Sequence, residues 1–311
     1  MDEQTESIAG ETEAGAFADR LVEAVERKRS QLVVGLDPRL ELLPLELRGD
    51  AQHTAEGVAG AFSRFCRGII DSIAPHAVAV KPQLAFFELY GSAGLHALEE
   101  ICEHARDAGL LVIADAKRGD IGPVARAYAG AYLEPRGAQG PLADAVTVNP
   151  YVGRDTLEPF VLSCQRHGGG MFVLVKTSNP GSADLQDVTL SDGHPLWHQL
   201  AELLREPAET LTASSGLSSL GVVVGATYPR AISEARRLLP RSIILLPGVG
   251  AQGATPADVA RAFTSGPASA LVNASRSVIF AYRAEEGLDW REAAGSQAQR
   301  LREEIWAVSG W

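Results

Sequence analysis

Short, continuously apolar runs rich in β-branched residues recur along this chain, at residues 32–36, 77–80, 110–114, 145–148, 171–175, 221–225, 242–246 and 268–272. Runs of that length without polar alternation suit strands buried on both faces of a parallel sheet. Between them lie stretches whose apolar residues recur at helical spacing: 53–71, 94–108, 155–164, 195–204, 229–239 and 256–263. Pro195, Pro229 and Pro256 fall near the first turns of three of these, where a missing N–H costs little. Eight strands, each followed by a helix, over about 280 residues is the count of a single α/β barrel of the (β/α)8 TIM type. The same alternation could fold as a doubly wound open sheet. That fold would carry a GxGxxG turn after the first strand, and Gly35-Leu36-Asp37-Pro38 is not one. The expectation is one barrel domain over residues 15–311 with extra terminal helices, the last (290–311) packed on the outside, and an acidic flexible tail at 1–14.

Composition narrows the class. Lys and Arg number 28 and Asp and Glu 39, a net charge of −11, which leaves no cationic footprint for nucleic acid or an anionic membrane. The 46% hydrophobic and 22% charged fractions are those of a globular chain with a sizeable core. Cys66, Cys102 and Cys164 are dispersed and show no CxxC spacing, so they read as small hydrophobes in a reducing compartment, not as a disulfide framework or zinc module. The first charged residues are all acidic, up to Arg20, the opposite of a secretory leader. The longest uncharged stretch, 210–229, is broken by Gly216, Gly221 and Gly225 and does not suit a membrane span. A cytoplasmic protein is expected.

In such a barrel the C-terminal strand ends carry the chemistry. The first run ends at Asp37, the second at Lys81, and the third at Asp115 with Lys117 and Asp120 just beyond. Asp115 and Lys117 are two apart, so on an extended strand end they share a side, with Lys81 next door. Alternating charge of this kind keeps the aspartates ionised and the lysines protonated. After the seventh run comes Pro247-Gly248-Val249-Gly250-Ala251-Gln252-Gly253, and after the eighth Arg276 at the start of a short helix. Those two loops are the usual phosphate seat of the fold, with small residues admitting the anion and an arginine to chelate it. Residues 137–140 repeat the Gly-Ala-Gln-Gly string, but before the fourth strand, at the opposite rim, and receive no role. The long polar segment 178–195 reads as a lid or a mobile insertion. No histidine falls at a strand end; His104, His167 and His198 read as helix-surface or cap residues, which argues against histidine acid–base or metal chemistry.

Asp115-x-Lys117-x-x-Asp120-Ile121, with Asp37, Lys81, the Pro-Gly-Val-Gly-Ala-Gln-Gly loop and Ser275-Arg276-Ser277, resembles the orotidine 5′-phosphate decarboxylase family, most closely its longer bacterial form, over about residues 32–280. The resemblance implies conversion of orotidine 5′-phosphate to uridine 5′-phosphate and CO2 with neither cofactor nor metal. It implies that Lys117 donates a proton to C6, that Asp115 stands against the substrate carboxylate, and that both aspartates hold the lysine. It further implies that Asp37 and Lys81 bind ribose hydroxyls, with Lys81 completing the charge network. Ser178 would contact the pyrimidine, while Gly250, Gln252 and Arg276 would serve the phosphate. Asp120 and Ile121 would reach into a neighbouring subunit's site, making a homodimer. The family often carries a hydroxyl residue shortly after the Asp-Ile pair; this chain has Gly122-Pro123-Val124, which removes any ribose contact expected there.

Three other readings compete. The related 3-keto-gulonate 6-phosphate decarboxylases share the Asp-x-Lys-x-x-Asp spacing but use Mg²⁺, which would want a carboxylate where Lys81 stands. A non-catalytic nucleotide-binding protein on the same scaffold would be expected to lack Lys117 or an aspartate. Schiff-base chemistry through Lys176 lacks a charge pattern that would depress a lysine pKa.

Overall fold

Eight parallel strands close on themselves in chain order. They are β1 (Leu32–Leu36), β2 (Ala79–Pro82), β3 (Leu111–Arg118), β4 (Ala145–Val148), β5 (Gly170–Lys176), β6 (Ser218–Val224), β7 (Ser242–Pro247) and β8 (Ala270–Ala274). Closure is made by β1 pairing with β2 on one side (Val33 opposite Ala79) and with β8 on the other (Leu32 opposite Val272). This is the expected (β/α)8 barrel, seen in a computed structural model that describes residues 15–49, 54–137, 140–249, 253–284 and 287–311. The acidic stretch 1–14, Gly250 and Gln252 lie outside the described residues.

Strand alternation divides the apolar side chains between two clusters. Val33, Ala79, Ile113, Ala145, Phe172, Ile243 and Leu271 pack together with Phe17, Leu21 and Val25 of the helix Phe17–Lys28. Their neighbours Val34, Val80, Val112, Val146, Val173, Val222 and Val272 pack instead with helix residues such as Phe62, Ile69, Ile101, Phe160 and Ile232. The first cluster fills the barrel, and the ring of Phe17 meets Phe172 edge-on, 5.9 Å between centroids. Burying one such aromatic contributes about 1.5–3 kcal/mol, so the filled interior gives the strand ends above it a rigid floor.

Outside the barrel, the helices Ala55–Ile73, Gly91–Asp107, Glu158–His167, Leu196–Leu203 and Pro229–Leu238 follow the strands as the periodicity predicts. Thr54 caps the first of them by accepting the Gly57 N–H. The stretch 256–263 is one α-turn continued as a 3-10 helix. The last helix, Trp290–Ser309, packs on Ala55–Ile73, with Trp290 against Phe65 at 5.2 Å. All three cysteines are buried and free, and burial pushes the Cys102 thiol up to about 12. Among the described residues, no helix is long and apolar enough to cross a membrane. One minor expectation fails: His198 is not on a helix surface but buried, beside Glu234, because its helix face turns toward Pro229–Leu238.

Candidate active site

The C-terminal ends of the strands surround a cavity of about 410 Å³. Its floor is apolar, made by Leu174, Val223 and Leu245, while Asp37, Lys81, Asp115 and Lys117 form a charged wall. Thr177, Ser178 and Asn179 follow from β5, and Pro247, Gly248 and Arg276 come from the ends of β7 and β8. Strands β1, β2 and β3 thus bring two anions and two cations to one rim, with Arg276 on the same cavity.

Asp115 is the hub of the wall. Its Oδ2 accepts from Lys81 Nζ and from Gln83 Nε2 (3.1 Å). Its Oδ1 accepts from Lys117 Nζ (2.5 Å) and from the Thr147 hydroxyl (3.0 Å). Burial alone would raise this carboxyl's pKa. The Lys81 and Lys117 ammoniums and their hydrogen bonds outweigh burial and hold it well below the usual carboxylate range. Burial likewise pulls on Lys81, but Asp115 and Asp37 outweigh it and keep that ammonium above its ordinary value. The two lysines differ in access. The Lys81 side chain is only 8% exposed, whereas that of Lys117 is 45% exposed. Lys117 is therefore the more accessible of the two ammoniums on the cavity wall.

Asp115 and Lys117 meet as expected, but not by strand pleat alone. The β3–β4 register shifts between Ala114 and Arg118, and Lys117 has φ +48°, in the left-handed region. A bulge of this kind re-aims a side chain at a sheet rim. The Lys117 N–H then finds the Thr147 hydroxyl at 2.9 Å.

The remaining positions fall on three parts of the structure. Asp37 lines the cavity, and its buried Oδ1 has no hydrogen-bond partner among the described residues. Arg276 opens the short helix Arg276–Ile279, and Ser275 lies close against β1. A Cβ at Gly35 would come within 1.9 Å of Ser275 Oγ, so only glycine there allows the approach. Gly248, at φ +112°, makes the turn out of β7.

Asp120 is not brought to its own chain's cavity. Its carboxylate accepts the Ile121 N–H at 2.8 Å, because the chain turns outward after the bulge toward the helix Gly122–Leu133. Ile121 is 60% exposed. Lys176 also lies outside the cavity, with its ammonium on Asp187, which removes the nucleophile from the Schiff-base reading. Among the described residues no group of three His, Cys, Asp or Glu side chains is placed to hold a metal ion.

Two wall residues, Gln83 and Thr147, were not singled out from sequence. Thr147 is the one hydroxyl inside the fourth apolar run, and Gln83 stands two residues past Lys81 on the same rim. Those two cues were available.

Comparison with known proteins agrees across the chain. Residues 30–288 match the family model described as Orotidine 5′-phosphate decarboxylase / HUMPS family. The orotidine 5′-phosphate decarboxylase of Rhodopirellula baltica is 46% identical over 300 residues, covering 93% of this chain and 98% of that protein. The enzyme of the same name from Deinococcus radiodurans is 43% identical over 289 residues, covering 93% and 96%. The structure of Leishmania donovani OMP decarboxylase superposes with a TM-score of 0.72 at 33% identity, covering 95% of this chain and 99% of that one.

Proposed function

Because the chain belongs to the orotidine 5′-phosphate decarboxylase / HUMPS family, we infer that it is a carboxy-lyase converting orotidine 5′-phosphate to uridine 5′-phosphate and CO2. This is the step that completes de novo pyrimidine nucleotide synthesis. The observation that carries the reading is the Asp115 carboxylate, ionised and ringed by four donors, holding the more accessible Lys117 ammonium at 2.5 Å on the cavity wall.

The chemistry follows from that arrangement. Breaking the bond between C6 and the carboxylate leaves an electron pair on C6 with little resonance relief. A cation already fixed beside that carbon stabilises the developing charge at no cost of reorganisation. Lys117 supplies it, then passes its proton to C6 as CO2 departs, and is reprotonated from solvent. Asp115 fixes Lys117 and repels the substrate carboxylate, which raises the ground state. Lys81 keeps Asp115 ionised, and Asp37 with Lys81 takes the ribose hydroxyls. Ser178 meets the pyrimidine. Arg276, with Gly250 and Gln252, takes the phosphate, whose binding energy compensates for the repulsion at the reacting end.

Asp120 and Ile121 complete the reading as residues given to a partner copy's site in a homodimer. Their outward position supports it, and so does the exposed apolar surface of Ile121 and Val124 after β3 and of Tyr151 and Val152 after β4. We assign the enzyme to the cytoplasm on its biosynthetic pathway.

The Mg²⁺-dependent alternative gains nothing from the site, since the end of β2 presents Lys81 bonded to Asp115 rather than a carboxylate. The test is direct. Purified protein should release CO2 from orotidine 5′-phosphate in excess EDTA. A metal requirement would move the assignment to the enediolate-forming relatives, and no turnover would leave a nucleotide-binding protein.

A further inference from the structure

Among the described residues, the most deeply buried charged side chain outside that machinery is Lys176, the last residue of β5, whose side chain is 2% exposed. Its ammonium donates to Asp187 Oδ1 at 2.8 Å and to Ser182 Oγ at 3.2 Å, and lies 4.7 Å from the centre of the Tyr228 ring. Taking an ammonium out of water costs several kcal/mol, and an apolar side chain would fill the same space more favourably. Such a pair is informative about geometry rather than about stability.

What it fixes is the segment that carries Ser178. Lys176 and Asp187 bracket residues 177–186. Just inside that bracket, the Thr177 N–H donates to Gln186 Oε1 and Gln186 Nε2 donates to Thr177 Oγ1, both at 2.9 Å. The segment is therefore tied across its base twice, by an ion pair and by a reciprocal amide–threonine pair. On the other side, the Gly225 N–H donates to the Lys176 carbonyl at 2.8 Å. A Cβ at Gly225 would lie 3.0 Å from both Cα and Cβ of Ser178, so the Ser178 backbone rests on β6 with no room to spare. Ser178 lines the cavity between Thr177 and Asn179, where the tied segment leaves the barrel.

We propose that Lys176 is a positioning residue for the decarboxylation: through Asp187 and Ser182 it locks the segment after β5, and so sets the place of Ser178 against the pyrimidine. The inference rests on the reading of Ser178 as the pyrimidine contact. A lock of this kind acts on the base and not on the phosphate, because Arg276 and the β7 loop stand on other strands.

The experiment compares inhibition by uridine 5′-phosphate with inhibition by ribose 5-phosphate, which lacks the base. The variants are Lys176→Met, Asp187→Asn, the two combined, and Ser178→Ala. Asp187→Asn changes a carboxylate that is 43% exposed, so it retains the fold if Lys176→Met does not. In Lys176→Met and Asp187→Asn, the constant for uridine 5′-phosphate should rise about tenfold or more, as expected for a displaced positioning group. The constant for ribose 5-phosphate should stay within about twofold, and the combined variant should be no worse than either single one. Equal changes in both constants, or no change in either, overturn the proposal. If Ser178→Ala weakens uridine 5′-phosphate while the Lys176 and Asp187 variants do not, the lock alone is wrong. If Ser178→Ala is silent, the pyrimidine assignment fails and the lock falls with it.

Discussion

Thr147 Oγ1 accepts the backbone N–H of Lys117 at 2.9 Å, and the same hydroxyl donates to Asp115 Oδ1 at 3.0 Å. One buried side chain on β4 therefore binds the lysine by its backbone and the aspartate by its carboxylate. The bond matters because Lys117 sits at φ +48°, a conformation that costs a non-glycine residue about 1–2 kcal/mol. Thr147→Val keeps the shape and removes both bonds. It should lower kcat by about 10²-fold with little change in KM, and Thr147→Ser should restore most of the rate. Steady-state kinetics of the three proteins decide it; a valine variant at full speed would remove Thr147 from the machinery.

The proposed phosphate seat would depend on Gly35 as well as on Arg276. Arg276→Ala should raise KM by about 10- to 100-fold through lost charged hydrogen bonds. Gly35→Ala, whose new Cβ would lie 1.9 Å from Ser275 Oγ, should act in the same direction by displacing the start of the Arg276 helix. If inorganic phosphate inhibited both variants as well as it inhibits the parent, Arg276 would not be at the phosphate.

The charge wall fixes a pH window. Asp115 titrates well below its ordinary value, so its stabilisation is present above the unfolded pKa of about 3.9 and is lost as pH falls through the folded one. Lys81 titrates above its ordinary value, so its contribution is complete below about 10.4 and is lost as pH rises through the folded one. Between about pH 5 and 9 neither changes charge. The urea midpoint of Asp115→Asn should trail the parent at neutral pH, and the margin should narrow in stronger acid, where the parent's own carboxylate becomes protonated. A margin undiminished in strong acid would contradict the assignment of charges.

The proposed sharing of sites across a homodimer predicts complementation. Lys117→Ala and Asp120→Ala should each be inactive as homodimers. Refolded together in equal amounts, they should regain about a quarter of parental activity, since half the dimers are mixed and each mixed dimer has one intact site. No recovery, with dimers present by light scattering, would place Asp120 in its own chain's site or in none.

Much of this was legible in the residues. Each of the eight apolar runs overlaps one of the eight strands, and the bounds coincide at both ends of β1 and β4 and at the start of β7, because a strand covered on both faces has no place for a polar residue until its end. Asp37, Lys81, Asp115 and Lys117 converge because each stands at or near the C-terminal end of β1, β2 or β3, and barrel closure brings those ends together. The helix Phe17–Lys28 was overlooked although Phe17, Leu21, Ala24 and Val25 recur at helical spacing; the charges between them and the acidic stretch before them masked the pattern. Other features have no local signal. The bulge that turns Lys117 left-handed, the reach of Thr147 across to β3 and the pairing of Lys176 with Asp187 depend on register between strands and loops, which the chain specifies only once it is folded.

Proton delivery to C6 by Lys117 is tested most directly by exchange at that carbon. By microscopic reversibility, the group that protonates C6 also removes its proton, so parental enzyme in D2O should wash deuterium into C6 of bound uridine 5′-phosphate. Lys117→Ala should bind the nucleotide within about tenfold of the parent and lose exchange by about 10³-fold or more. Exchange persisting at a rate near the parent's would show that another group holds that proton.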